Sequence, residues 1–225
     1  MMKYRAAIFD LDGTLINSLE DLADSVNEML EHYGFPTHPL EPYRYYVGNG
    51  ARKLIERTLP RERATDKNFV DEALHYYDGC YQRHLTIKTK PYDGIIAMLD
   101  RLKALRIPMG IVTNKQDFAA QEITAKLFPS GIFDEVIGDR DGLPRKPDPT
   151  KALKIASSFG VEPSGVAYFG DTSVDMQTAV NAGFLPIGVT WGFRPESELL
   201  ESGAQLIIHH PLELFEHVEF QARHA

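Results

Sequence analysis

Four short stretches of this chain concentrate residue types that handle phosphate and divalent cations. Asp10-Leu11-Asp12-Gly13-Thr14 sets two carboxylates two positions apart and follows them with a glycine and a hydroxyl. Carboxylates this close repel unless a cation lies between them, and a hard, oxygen-seeking ion such as Mg2+ fits. Gly13 lets the chain turn back tightly, so that its neighbours' amides can face a phosphate oxygen. Gly170-Asp171-Thr172-Ser173-Val174-Asp175 supplies a second carboxylate pair. Asp175 falls in the first turn of a predicted helix, where the dipole favours an anion with or without a metal. Thr113-Asn114 offers a hydroxyl and an amide. Lys146 stands in a loop stiffened by Pro144, Pro147 and Pro149. A cation there could neutralise both a nucleophilic carboxylate and a phosphoryl oxygen. Each stretch alone also has a plainer use: an Asx turn for the first, capping for Thr113-Asn114 and Asp175, a solvated side chain for Lys146.

What gathers them is the order of elements. Short apolar runs at Ala6–Phe9, Met109–Val112, Glu135–Ile137, Val166–Phe169, Leu185–Val189 and Leu206–Ile208 read as strands buried on both faces of a parallel sheet. Amphipathic segments alternate with them. One covers Ile95 to Leu105, and another runs from about Ser173 to Gly183. A third is capped by Asp148, with Pro149 at its first position and Gly160 closing it. This alternation predicts an α/β, doubly wound, Rossmann-like core. In such sheets ligands bind beyond the carboxyl ends of the strands. The Asp10, Thr113 and Asp171 stretches each follow a predicted strand, so they should converge on one site.

From Ser18 to about Leu85 the pattern changes to helices alone. Ser18-Leu19-Glu20-Asp21 resembles a capping box with Asp in the usual Glu/Gln place. Leu19, Leu22, Ala23, Val26, Met29 and Leu30 follow at helical spacing, and further helices are predicted after Gly48-Asn49-Gly50 and over Phe69 to Tyr81. The expected organisation is therefore a core of residues 1–17 and 86–225, with a helical domain of residues 18–85 inserted after the first strand. The two crossings between them, near Ile16-Asn17 and Thr86 to Lys90, are natural hinges.

Composition narrows the classes. The chain has 225 residues, with 24 Lys+Arg against 32 Asp+Glu and a formal net charge of −8. An acidic chain is a poor partner for nucleic acid or an anionic membrane surface. No apolar stretch approaches a membrane span of roughly 18 residues. The solitary Cys80 excludes an intrachain disulfide framework and a Cys-based zinc cluster, and it fits a reducing compartment; a cytoplasmic location is the expectation. Neither a P-loop nor a dinucleotide-binding glycine fingerprint is present. Tyr43, Tyr45, Tyr46, Tyr76, Tyr77 and Tyr81 fall at helix-like intervals that suit packing better than base stacking.

Asp10-Leu11-Asp12-Gly13-Thr14-Leu15, Thr113-Asn114, Lys146-Pro147 and Gly170-Asp171 with Asp175 resemble, in this order, the four motifs of the haloacid dehalogenase superfamily. The helical insert resembles its cap of the first type. The resemblance implies a Mg2+-dependent phosphatase acting on a small phosphorylated metabolite, with no nucleic acid or membrane partner, as a monomer or homodimer. It implies Asp10 as nucleophile, forming an aspartyl-phosphate, and Asp12 as acid and then base, with a proton affinity raised to suit. It implies Mg2+ held by Asp10, the backbone carbonyl of Asp12, Asp171 and Asp175. Phosphoryl oxygens would be held by Thr113, Asn114, Lys146 and the amides near Leu11 to Gly13. In the cap, Gly48 to Lys53 is the segment expected to read the organic part of the substrate. There Gly50 shapes the loop and Arg52, at a helix start, could bind a carboxylate. Asn17 departs from the Asp common in relatives, at a hinge. A pyrophosphatase, another phosphomonoesterase or a hexose-phosphate mutase of the same superfamily shares these motifs. Outside enzymes, a phosphate-accepting receiver domain is also doubly wound and acidic, but it is shorter and lacks such an insert.

Overall fold

The structure is a computed structural model and describes residues 3–221. Ten strands form. They are β1 (Lys3–Tyr4), β2 (Ala6–Phe9), β3 (Ile16–Asn17), β4 (Lys90–Pro91), β5 (Met109–Gln116), β6 (Glu135–Asp139), β7 (Val166–Gly170), β8 (Leu185–Val189), β9 (Leu206–Ile208) and β10 (Glu219–Phe220). Six of them make one parallel sheet in the order β6-β5-β2-β7-β8-β9. Alternate residues of β2 serve two separate cores. Ala7 and Phe9 pack with Met109, Ile111 and Phe169, whereas Ala6 and Ile8 pack with Val112, Val166 and Tyr168 on the other face. That two-sided burial is why the strand is continuously apolar rather than alternating. The chain leaves β2 for β5 on one side and returns to β7 on the other. The crevice at the carboxyl end of β2 is therefore a topological switch point, the place where such sheets bind ligands.

The core helices are α6 (Ile95–Ala104), α7 (Asp117–Leu127), α8 (Thr150–Ser158), α9 (Ser173–Ala182), α10 (Glu196–Glu201) and α11 (Leu214–His217). Helix α8 begins one residue later than its sequence suggests. Pro149 occupies the N-cap, and Asp148 still accepts from the Thr150 amide at 2.9 Å. Strand β5 runs beyond Val112 to Gln116, with its register against β6 shifted between those residues. The buried Lys151 ammonium fills this opening, donating to the carbonyls of Thr113 (2.9 Å) and Gly138 (3.3 Å).

Every regular element described between Asn17 and Lys90 is helical: α1 (Leu19–His32), α2 (Tyr43–Tyr46), α3 (Ala51–Thr58), α4 (Arg61–Ala64) and α5 (Lys67–His84). The two crossings lie side by side, as β3 pairs antiparallel with β4. The expected capping box at Ser18 does not form. The Ser18 hydroxyl instead donates to Asp12 at 2.5 Å, and Asn17 accepts from the Leu19 amide at 3.3 Å. Asp21 is drawn away because a stronger set of donors lies on the returning chain. Its buried carboxylate accepts from the amides of Lys88 and Thr89 and from the Thr89 hydroxyl, at 2.6–3.0 Å. No described helix is long and apolar enough to cross a membrane.

Asp21 thus clasps the second crossing to α1. Replacing Asp21 by Ala strands two backbone donors and a hydroxyl, and should cost about 2–4 kcal/mol in urea unfolding, with Asp21→Asn recovering part of it. A loss below about 0.5 kcal/mol would show that this clasp is idle.

Candidate active site

Two strand ends and one helix start deliver the carboxylates of the site. Asp10 follows Phe9 directly, and its amide donates to the Phe169 carbonyl at 2.9 Å, which fixes the exit of β2 against β7. Asp171 follows Gly170, the last residue of β7. Its carboxylate is wholly buried and accepts from the Thr14 hydroxyl (3.1 Å) and the Phe193 amide (2.8 Å). The approach is so close that a Cβ at Gly13 or Gly192 would overlap the Asp171 side chain. Asp175 enters through a capping box at the start of α9. One oxygen accepts from the amide and hydroxyl of Thr172, at 3.1 and 2.6 Å. The other accepts from Lys146 at 2.7 Å. Both uses that the sequence allows for Asp175, helix cap and site ligand, are therefore compatible in one side chain.

Carboxylate oxygens of Asp10, Asp171 and Asp175 all lie within 4.8 Å of one another. Lys146 Nζ stands 2.7 Å from Asp10 and 2.7 Å from Asp175, and the lysine is buried rather than solvated. Three carboxylates against one ammonium leave an excess of negative charge. Burial, and then the Asp175 charge, push the Asp10 carboxyl up to about 7, while Lys146 pulls it down. Burial and the neighbouring Asp175 also hold Asp171 well above the ordinary carboxylate range. Asp10 Oδ1 is buried with no hydrogen bond of good geometry, although it faces the Lys146 ammonium. An all-oxygen donor set with surplus negative charge suits a hard divalent cation.

The remaining sequence candidates divide. Lys146 lies in the cluster, and Thr113 lines the cavity with Asp10, its hydroxyl accepting from the Lys115 amide at 3.1 Å. Asn114 is there too, but its amide is engaged. Its oxygen accepts from the Lys146 amide at 2.9 Å, and its nitrogen donates to the carbonyls of Lys146 and Gly48, each at 3.2 Å. In this arrangement it positions the lysine loop and tethers the helical insert. Asp12 stands outside the group of three acids but lines the same cavity as Asp10, its carboxylate held by the Ser18 hydroxyl and Lys115. Gly50 lines the cavity above the cluster with φ +87°, a conformation that favours glycine. Arg52 does not line it: its guanidinium pairs with Asp71 on the insert.

Sequence reasoning gave no role to several residues the geometry brings in. Lys115 Nζ lies 2.8 Å from Asp12 and 4.7 Å from the centroid of the Tyr81 ring. Its position directly after Thr113-Asn114, at the same strand end, is the signal that could have found it. Tyr77 and Tyr81 stack (5.6 Å, 8°) as one wall of the cavity. Two arginines join the insert to the core in opposite senses. Arg44 of the insert donates to the carbonyls of Phe193 (3.2 Å) and Gly192 (3.1 Å), and Arg194 of the core donates to the carbonyl of Val47 at 3.1 Å.

This fold and constellation can be placed among known proteins. The profile of the haloacid dehalogenase-like hydrolases matches residues 7–189, and the chain belongs to that family. A phosphoglycolate phosphatase of Neisseria meningitidis is 36% identical over 192 residues, covering 84% of this chain and 81% of that protein. One from Chromobacterium violaceum is 34% identical over 217 residues, covering 94% and 95%. A solved structure from Lactobacillus delbrueckii subsp. bulgaricus, which carries the same name provisionally, superposes with a TM-score of 0.87 at 31% identity, covering 96% of this chain and 98% of that one.

Lys146 is the counter-charge of the cluster. With divalent metal chelated, Lys146→Met should lower unfolding stability by about 3–5 kcal/mol at pH 8, because two buried carboxylates lose their cation. The deficit should shrink below pH 6, where Asp10 takes up a proton. A deficit that grows on acidification would contradict this electrostatic account.

Proposed function

We propose that this chain is a Mg2+-dependent phosphoric monoester hydrolase whose preferred substrate is 2-phosphoglycolate, which it converts to glycolate and phosphate. The observation that carries the chemistry is the Asp10–Lys146–Asp175 cluster with Asp171, gathered at the switch point of a haloacid dehalogenase-like fold. The substrate is suggested by the relatives named phosphoglycolate phosphatase. The cavity above the cluster, walled by Leu22, Val47, Leu54 and Tyr77, supports a small organic group.

Asp10, Asp171 and Asp175 would hold the cation, with the backbone carbonyl of Asp12. When bound, Mg2+ supplies charge neutralisation for the acidic site and for the phosphoryl oxygens. Asp10 is the nucleophile. Its carboxylate oxygen attacks phosphorus as the bond to the ester oxygen breaks, giving an aspartyl-phosphate. Asp12 gives a proton to the departing alkoxide. It then takes one from a water that attacks phosphorus, and the bond to Asp10 breaks to release phosphate. Lys146 and Thr113 hold phosphoryl oxygens, with Asn114 fixing the lysine loop. Lys146 also counters part of the upward push that burial gives the Asp10 carboxyl. Most of the rate in phosphoryl transfer comes from such positioning and charge compensation. Residues 18–85 form a cap on the α/β core, hinged at the β3–β4 pair, and the arginine contacts to residues 47 and 192–193 hold it over the site to exclude water.

Asp10→Asn should fold normally and lose phosphatase turnover by at least about 1,000-fold. Retention of more than a few per cent of the wild-type rate would rule Asp10 out as nucleophile. Chelation should abolish activity and added Mg2+ restore it. Because a proton competes for Asp10 near pH 7, Mg2+ affinity measured by titration calorimetry should weaken steadily from pH 8 to pH 6, with protons released on binding. Affinity that is flat over this interval would remove Asp10 from the ligand set.

A further inference from the structure

The cavity above the cluster is lined on its organic side by Leu22, Val47, Ala51, Leu54, Tyr77 and Phe193. Among its described lining residues Lys115 is the single basic side chain. Arg52, the arginine that the sequence offers for a substrate carboxylate, is occupied by Asp71. An anionic substituent entering this space therefore meets one ammonium, which it must share with or take from Asp12.

The geometry points to Lys115 as the specificity-determining residue that selects phosphate monoesters carrying a carboxylate on the organic group. This rests on the phosphatase reading above and names the part of the site that recognises the acid. The Lys115 side chain is 4% exposed, its ammonium packed over the Tyr81 ring and held 2.8 and 3.1 Å from the two oxygens of Asp12. It is thus poised at the wall of the cavity rather than free in solvent. It sits two residues after Thr113 on the same core strand, a separation of about 6–7 Å along extended chain. Phosphate and carboxylate are then read from one rigid segment, which favours acids only a few bonds from phosphorus.

Lys115 also joins recognition to chemistry. A substrate carboxylate that takes the ammonium removes a partner from Asp12, while Ser18 keeps the other contact at 2.5 Å. Asp12 becomes available to the ester oxygen when the right substrate is in place. A neutral ester leaves the Asp12–Lys115 pair intact and gains nothing from it.

The test compares phosphoglycolate with ethyl phosphate, in which a methyl group replaces the carboxylate, on wild type, Lys115→Met, Lys115→Gln and Arg52→Ala, all as the full chain with Mg2+. The expected result is a loss of kcat/KM on phosphoglycolate about 30-fold larger than the loss on ethyl phosphate in both Lys115 variants, carried mainly by KM. Circular dichroism and thermal unfolding report that each variant has folded. Equal losses on the two esters overturn the inference and make Lys115 a positioning residue for Asp12. A preference that survives in the Lys115 variants, or that collapses in Arg52→Ala instead, also overturns it. A wild-type enzyme with no preference for phosphoglycolate overturns the substrate reading beneath it.

Discussion

The site is built around one buried ammonium. Strands β2 and β7 end side by side, and each delivers a carboxylate to the same crevice, with Asp175 a third from the start of α9. Packed together without compensation, these groups would repel or take up protons. Lys146 meets two of them at 2.7 Å. It comes from a loop remote in sequence from both partners. Its backbone is gripped on both sides by Asn114, whose amide bonds the amide and carbonyl of Lys146. The charge balance of the cluster depends on this contact, and Lys146 opposes the proton uptake that burial and Asp175 promote at Asp10.

Closeness is the second constraint. At Gly13 and Gly192 a side chain would strike Asp171, and at Gly170 it would strike Asp175. The acidic groups sit where backbone can come within van der Waals range of them and amides can serve as donors, as the Phe193 amide does. The segment that supplies this amide is also the one the insert holds, through Arg44 on the carbonyls of Gly192 and Phe193. The insert's grip on the core is therefore mechanically continuous with the Asp171 carboxylate.

Much of this was legible in the sequence, and the reasons are physical. Central parallel strands are apolar on both faces, so Ala6–Phe9 and Val166–Gly170 announce themselves, and polar residues that interrupt such runs mark the sheet's carboxyl edge. What escaped was whatever depends on a distant partner. The two-residue pairing of β1 with β10 has too little pattern to read. Ser18 and Asp21 have the local form of a capping box, yet each finds a better partner elsewhere, Asp12 for one and the crossing at Lys88-Thr89 for the other. Arg52 has the right place at a helix start, but its reach to Asp71 is a matter of tertiary packing. Lys115 was hidden for the same reason: its partner Asp12 lies 103 positions away in the chain, across the whole helical insert.

The central claim is that Asp10 receives the phosphoryl group beside a divalent cation. A crystal structure of the enzyme grown with Mg2+ and beryllium trifluoride, an analogue of a phosphoryl group bound to a carboxylate, tests it most directly. The beryllium is expected on a carboxylate oxygen of Asp10, its fluorines against Lys146 and Thr113, and the cation among Asp10, Asp171, Asp175 and the Asp12 carbonyl. Beryllium on any other side chain, or a cation held away from Asp10, would contradict it.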